Sequence, residues 1–113
     1  MENRLAEIIV ERLSKHFTPS YIYTEQSALP YCVYELVNEA PVYTKLALSG
    51  WRAEATIYLA AATESESVQM KEKALSLLMA RDGSCIININ SVQPAFAEEQ
   101  WLQKIDFQIT QLR

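Results

Sequence analysis

The chain has 113 residues, of which 50% are apolar and 21% charged, and this size and composition are typical of one soluble globular domain covering residues 1–113. Its net charge of −4, with ten basic residues scattered along the chain, argues against nucleic acid as the main partner. No apolar run reaches the ~20 residues of a membrane-spanning helix, and no secretory leader pattern opens the chain, so we expect a cytoplasmic protein.

The first predicted element is an amphipathic helix over residues 2–17. Its apolar side chains recur at helical spacing, and its charged side chains lie away from them. Thr18 and Pro19 should end the helix, because the residue before a proline is displaced from the α-helical region. The stripe expected to face the core comprises Leu5, Ile8, Ile9, Leu13 and Phe17.

Extended segments are predicted after this helix. Residues 21–24 are β-prone, and residues 29–36 form a proline-started run that is apolar at nearly every position. Such a run indicates a central strand buried on both faces. Residues 38–41 should break the strand, and residues 42–49 are either a short strand or an ordered loop. One face of the strand should carry Tyr31, Val33, Glu35 and Val37, and the other Cys32, Tyr34 and Leu36.

A different kind of strand is predicted at residues 51–59, where apolar and polar residues alternate. This alternation is typical of an antiparallel strand with one covered and one solvated face. Small alanines on the covered face should let a helix approach closely. The covered face is assigned Trp51, Ala53, Ala55, Ile57 and Leu59, and the solvated face Arg52, Glu54, Thr56 and Tyr58.

A second helix should begin after Thr63. Thr63 is a suitable N-cap, and Glu66 stands at the spacing of a capping box. Residues 81–83, Arg-Asp-Gly, supply a basic last turn and a glycine stop. The predicted buried stripe comprises Val68, Leu75, Leu78 and Met79.

Two alternating strands, residues 84–92 and 101–112, close the chain. Strands that follow one another between helices, without strict β-α-β alternation, indicate an α+β fold. We expect an antiparallel sheet of four to five strands with two helices packed on one face, in the order α-β-β-(β)-α-β-β. The opposite face, which should carry Arg52, Tyr58, Lys104 and Gln108, is expected to be solvated or to meet a partner.

The sequence predicts no catalytic, cofactor-binding or metal-ligating residues, and no cofactor. The single histidine, His16, lies on the polar flank of the first helix, and one histidine with two distant cysteines offers no zinc-ligand spacing. Cys32 and Cys85 are interpreted as small buried hydrophobes, with a disulfide between adjacent strands left open. An enzyme is the least favoured interpretation, and only Glu35, Tyr34 and Tyr58 would merit testing for it.

Tyrosine and tryptophan are more numerous than so small a core can take up. Both residue types are enriched at protein interfaces, where one end of the side chain is apolar and the other polar. Each is individually compatible with a half-buried strand position, but as a set they favour an interface. The set comprises Tyr21, Tyr23, Tyr31, Tyr34, Tyr43, Tyr58, Trp51 and Trp101.

The chain resembles the small tail completion and tail terminator proteins of tailed bacteriophages. The likeness lies in the amphipathic N-terminal helix, the strand Ala28-Leu29-Pro30-Tyr31-Cys32-Val33-Tyr34, and the strand Trp51-Arg52-Ala53-Glu54-Ala55-Thr56-Ile57-Tyr58 that leads straight into a helix. By motif it covers roughly the first two thirds of the chain. The C-terminal strands, with Trp101, agree only in length and strand order.

This resemblance implies a structural protein, encoded by a prophage, whose subunits form a ring, typically a hexamer. The ring would cap the tail tube, stop its polymerisation and join it to the head, with the tail tube and head-tail connector proteins as partners. Subunit contacts would involve the solvated sheet face or a flexible segment at residues 39–49. The alternative is a small α+β module that binds a ligand or peptide between helices and sheet as a dimer.

Overall fold

A computed structural model describes residues 4–21, 28–44, 47–80 and 85–112. It shows an α+β fold with two helices and a five-stranded sheet, in the predicted order α-β-β-β-α-β-β. The elements are α1 Leu5–Leu13, β1 Pro19–Tyr21, β2 Tyr31–Thr44, β3 Ala47–Ala61, α2 Glu64–Leu78, β4 Cys85–Ala97 and β5 Gln100–Leu112.

The strands lie in the spatial order β1-β2-β3-β5-β4. The β2–β3 and β4–β5 pairs are antiparallel hairpins, as predicted, and β3 and β5 join them into one sheet. The three residues of β1 pair in parallel with β2, so the sheet is mixed. The central strand is therefore β3, and the prediction that residues 29–36 form the central strand is wrong.

Strand β2 also differs from its prediction in burial and length. Only Cys32 and Val33 are buried, one on each face, and the other residues of the strand are half-buried or exposed. The predicted break at residues 38–41 is instead a β-bulge within a continuous strand. Asn38 takes a φ of 54°, a conformation that asparagine tolerates better than most residues, and the register shifts before Ala40.

Both helices cover the same face of the sheet, as predicted, and the core lies between them and β3 and β5. The helix α1 is shorter than its predicted range, because it ends at Leu13 and passes into a turn before Phe17. Its predicted stripe is confirmed, since Leu5, Ile8, Ile9 and Leu13 are buried and Phe17 packs against the core. The sheet supplies Ala53, Ala55, Ile57, Leu59, Ile105, Phe107 and Ile109 to this core.

The helix α2 begins as predicted but buries a different stripe. The Thr63 hydroxyl accepts a hydrogen bond of 3.2 Å from the Glu66 backbone N–H, which confirms the N-cap. Met79 follows the end of the helix and is 65% exposed, so its predicted burial is wrong. The polar Ser67 and the small Ala74 do not stand out in a pattern of large apolar residues, so the buried stripe differs from the predicted one. The buried residues are Ser67, Met70, Ala74 and Leu78, while Val68 and Leu75 are half-buried.

Candidate interaction surface

Helices pack on only one of the two faces of the sheet, among the described residues. The described helices lie on one face, and no described element covers the other, which we call the open face. Strand alternation and register place Arg52, Tyr58, Lys104 and Gln108 together on it, as predicted. The open face consists of Tyr31, Val33, Glu35, Val37, Arg52, Glu54, Thr56, Tyr58, Ile86, Asn88, Ser91, Gln93, Lys104, Asp106, Gln108 and Thr110.

A row of polar side chains crosses four strands at the middle of the open face. The register places Glu35, Thr56, Asp106 and Ser91 side by side on β2, β3, β5 and β4. The Thr56 hydroxyl donates to one carboxylate oxygen of Asp106 at 2.7 Å, and the Ser91 hydroxyl donates to the other at 3.0 Å. These charge-assisted hydrogen bonds hold Asp106 in one orientation.

The neighbouring row pairs a cation with an aromatic ring. The Lys104 ammonium lies 5.9 Å from the centroid of the Tyr58 ring and 4.0 Å from an oxygen of Asp106. A cation at this distance from a ring is attracted by its quadrupole. Polar side chains that are already ordered lose less conformational entropy when a partner covers them. The open face is thus partly pre-organised for contact.

Hairpins extend the sheet at both ends. Strands β2 and β3 continue past Gly50, the last residue of β3 that β5 pairs, and we call residues 43–44 and 47–49 the arm. Tyr43 on the arm is 64% exposed, and the hydroxyls of Thr44 and Ser49 are hydrogen-bonded at 2.6 Å. Residues 42–49, predicted as either a short strand or an ordered loop, are therefore strand on both sides of residues 45–46, which lie outside the described residues.

The opposite end carries the β4–β5 turn. Phe96 is 58% exposed and its ring lies 4.7 Å from that of Trp101. The turn residues Glu98 and Glu99 both adopt positive φ, 53° and 63°. Nearby, the Tyr31 hydroxyl donates to the side-chain oxygen of Gln100 at 3.1 Å.

A cavity of about 580 Å³ opens on the helix side of the sheet. It lies between the end of α1, the first half of α2 and the start of β2. Its size falls within the range of small-molecule sites, about 300–1,000 Å³. The cavity is lined by apolar and polar groups that include Phe17, Pro30, Tyr31, Cys32, Glu66 and Met70, with His16 also at its wall.

The three residues that would merit testing for an enzyme do not all lie on the same face of the sheet. Glu35 and Tyr58 lie on the open face, whereas Tyr34 points to the opposite face and packs edge-on against Tyr21 with ring centroids 5.6 Å apart. His16 is exposed beyond the end of α1, against the edge of the Phe17 ring. Among the described residues, no group of three or more His, Cys, Asp or Glu side chains is placed to hold a metal ion.

Both cysteines are buried and neither forms a disulfide. They lie on β2 and β4, which β3 and β5 separate, so the disulfide between adjacent strands that the sequence left open is excluded. Burial raises the pKa of the Cys32 thiol to about 12. The interpretation of both residues as small buried hydrophobes is confirmed.

The described members of the aromatic set are all half-buried or exposed, while Tyr23 lies outside the described residues. They do not form one patch. Tyr58 and Tyr31 lie on the open face, Tyr43 on the arm and Trp101 beside the β4–β5 turn. The sequence did not single out Asp106 or Ser91, because their contact depends on a register that alternation alone does not specify.

No protein-family model matches the chain, and no curated protein matches it at a significant level. In the part of the chain that the structure describes, neither helix has the length and apolar content to cross a membrane.

Proposed function

We propose that this protein is a structural subunit of a tailed bacteriophage or prophage, a tail completion or tail terminator protein. Its copies assemble into a ring, typically a hexamer in proteins of this kind, that caps the tail tube and joins it to the head. The partners are other copies of the chain, the tail tube protein and the head-tail connector proteins. The protein acts in the cytoplasm during assembly and then stays in the virion tail, with no direct recognition of nucleic acid or membrane.

The observation that carries this proposal is the open face. A sheet with helices on one side and a pre-ordered polar row on the other presents a broad surface on which a second subunit can dock. Interfaces of this kind combine aromatic anchors with polar groups that are hydrogen-bonded in advance. Tyr58, held beside Lys104 at 5.9 Å, is such an aromatic group, and the row around Asp106 is such a polar array.

Charge on the open face is mixed, which suits contact between copies. Arg52 and Lys104 stand among Glu35, Glu54 and Asp106, so a neighbouring copy can oppose unlike charges. Docking in a ring is head-to-tail, so one copy's open face meets a different surface of the next. The arm, with exposed Tyr43, extends from the sheet and offers such a second surface.

The assembly can be tested by sedimentation velocity and negative-stain electron microscopy at tens of micromolar protein, alone and with a tail tube protein. We expect closed rings whose population rises with concentration. Gln108→Lys places a new charge in the middle of the open face, beside Glu54, and should abolish the rings. Ser76→Lys adds the same charge on the exposed surface of α2 and should leave them intact.

The ring proposal fails if the wild-type chain sediments only as a monomer, even with tail tube protein present. It also fails if Gln108→Lys forms rings as readily as Ser76→Lys. Thermal unfolding of both variants establishes that each is folded before its assembly is compared.

The cavity on the helix side favours a second candidate, a small module that binds a ligand or peptide as a dimer. Its volume of about 580 Å³ and its mixture of apolar and polar walls suit a small organic molecule. Met70→Trp would fill the cavity from α2. If the module binds a ligand there, a fragment screen by thermal shift should find compounds that stabilise the wild-type chain and not Met70→Trp.

A further inference from the structure

Strand β4 is an edge of the sheet with little protection. No described strand pairs with it on the side away from β5. An edge strand carries backbone N–H and C=O groups that can pair with another strand, and proteins usually protect such edges with charged residues, proline, bulges or short strands. The thirteen residues of β4 include no charged residue at all, and Ile86 is 47% exposed.

The opposite edge of the same sheet is protected in several ways. The short strand β1 covers residues 32–34 of β2, and a bulge follows after Val37. Pro41 then removes one backbone donor, and Glu39 adds a charge. The two edges are therefore not equivalent, and β4 is the one available for pairing.

Two features limit the unprotected part of β4. The register shift between Ile89 and Ser91 bends the strand, and Pro94 lacks a backbone donor further along. What remains is a straight stretch at residues 86–89 with the sequence Ile-Ile-Asn-Ile. Only a short strand fits beside it.

We propose that β4 pairs with β4 of a second copy of this chain, antiparallel and about a two-fold axis at Asn88. The lack of charged residues on β4 favours a second copy as the partner strand, because two uncharged strands approach each other without electrostatic repulsion. Each whole chain nevertheless carries a net charge of −4. The length of the unprotected stretch also favours a second copy, because the same bulge ends this stretch in both chains. The two sheets then continue as one.

Close to the two-fold axis, this pairing places apolar side chains opposite apolar ones on the core face and polar side chains opposite polar ones on the open face. With the axis at Asn88, Ile87 lies opposite Ile89 of the second copy, and the reverse pair is formed by symmetry. Both isoleucines are half-buried at the margin of the core, so the contact covers them and joins the two cores. The two Asn88 amides face each other on the open face, where each can donate and accept.

This inference goes beyond the proposed ring and does not depend on it. A two-fold contact is satisfied by two copies and cannot by itself close a ring. The edge dimer uses the margin of the sheet, whereas the ring uses the middle of the open face. The two contacts are therefore separable by mutation.

The test compares Asn88→Lys with Gln108→Lys by analytical ultracentrifugation from ~1 to ~100 μM. Both residues lie in one row of the open face, on the edge strand and the next strand inward. Two lysines facing each other across the axis should weaken the dimer about tenfold or more, while Gln108→Lys should keep the dimer even if it abolishes rings. A wild-type chain without a dimer, or equal effects of the two substitutions on it, would overturn the proposal.

A cross-link tests the register directly and does not require Asn88→Lys to fold. Residues opposite each other at the axis lie about 5 Å apart between Cα atoms, within reach of a disulfide. Asn88→Cys should give a covalent dimer under mild oxidation, whereas Gln93→Cys, roughly 30 Å from its copy at 3.4 Å per residue, should not. Equal cross-linking of both variants, or none of Asn88→Cys, contradicts the pairing.

Discussion

The guanidinium of Arg12 on α1 donates a hydrogen bond of 2.5 Å to the backbone carbonyl of Leu78 at the end of α2. The same nitrogen donates to the carbonyl of Ala80 at 2.7 Å. The last carbonyls of a helix lack partners within the helix and carry the negative end of its dipole, so a cation stabilises them. Arg12 therefore joins α1 to the C-terminal end of α2.

Replacing Arg12 should destabilise the fold. Arg12→Met keeps most of the aliphatic stem but removes both hydrogen bonds, and we expect the free energy of unfolding to fall by about 2 kcal/mol. Arg4→Met is the control, because the Arg4 side chain makes exposed ion pairs with Glu7 and Glu11. Exposed pairs of this kind contribute ~0.5 kcal/mol. Urea denaturation measures both, and equal losses would contradict the capping role.

Gly50 lies where two backbones approach closely. A Cβ at this position would overlap the carbonyl oxygen of Gln111 on β5. Because that oxygen belongs to the backbone of a paired strand, it cannot move aside without breaking the sheet. Gly50→Ala should lower the free energy of unfolding by about 3 kcal/mol, as overpacking does. Ser49→Ala, one residue away, should cost less than ~1 kcal/mol.

Periodicity predicted the fold well because burial repeats along each element. The faces of β3 and β5, the stripe of α1 and the N-cap at Thr63 all follow from side chains whose positions depend on a single strand or helix. The stripe of α2 was mistaken because Ser67 and Ala74 are buried, whereas the larger apolar Val68 and Leu75 are only half-buried. A periodicity analysis ranks residues by hydrophobicity, whereas close packing between a helix and a sheet also depends on side-chain size.

The candidate surface was predicted only in part. Alternation placed Tyr58 and Lys104 on one face, but the contacts of Asp106 with Thr56 and Ser91 require the register of three strands. Asn38 was interpreted as the end of a strand, because asparagine favours both turns that end strands and bulges within them. These contacts depend on how the strands pair with one another, and the pattern of residues along one strand does not specify that pairing.

The turn between β4 and β5 uses unfavourable residues. Glu98 and Glu99 both hold positive φ in a two-residue hairpin loop, where Asn-Gly is strongly preferred. A side chain in this conformation costs about 1 kcal/mol relative to glycine. The double substitution Glu98→Asn with Glu99→Gly should raise the free energy of unfolding by about 1–2 kcal/mol. A chemical denaturation midpoint that does not rise would contradict this turn geometry.

Because Cys32 is buried, the free energy of unfolding should decrease at alkaline pH. The thiol has a pKa of about 12 in the folded chain against an ordinary value of 9.0, because burial disfavours the thiolate. The folded state therefore keeps its proton where the unfolded chain loses it, so stability is full below pH 9.0 and falls as pH rises toward 12. By pH ~10.5 the loss from this group should be about 2 kcal/mol.

The variant Cys32→Ala separates this loss from that of other groups that titrate in the same range. It should be less stable than the wild type at neutral pH, because it leaves space in the core. Its stability should nevertheless decline less steeply between pH 9 and 10.5, as measured by urea denaturation at each pH. Parallel declines in the two proteins would show that the Cys32 thiol is not the group responsible.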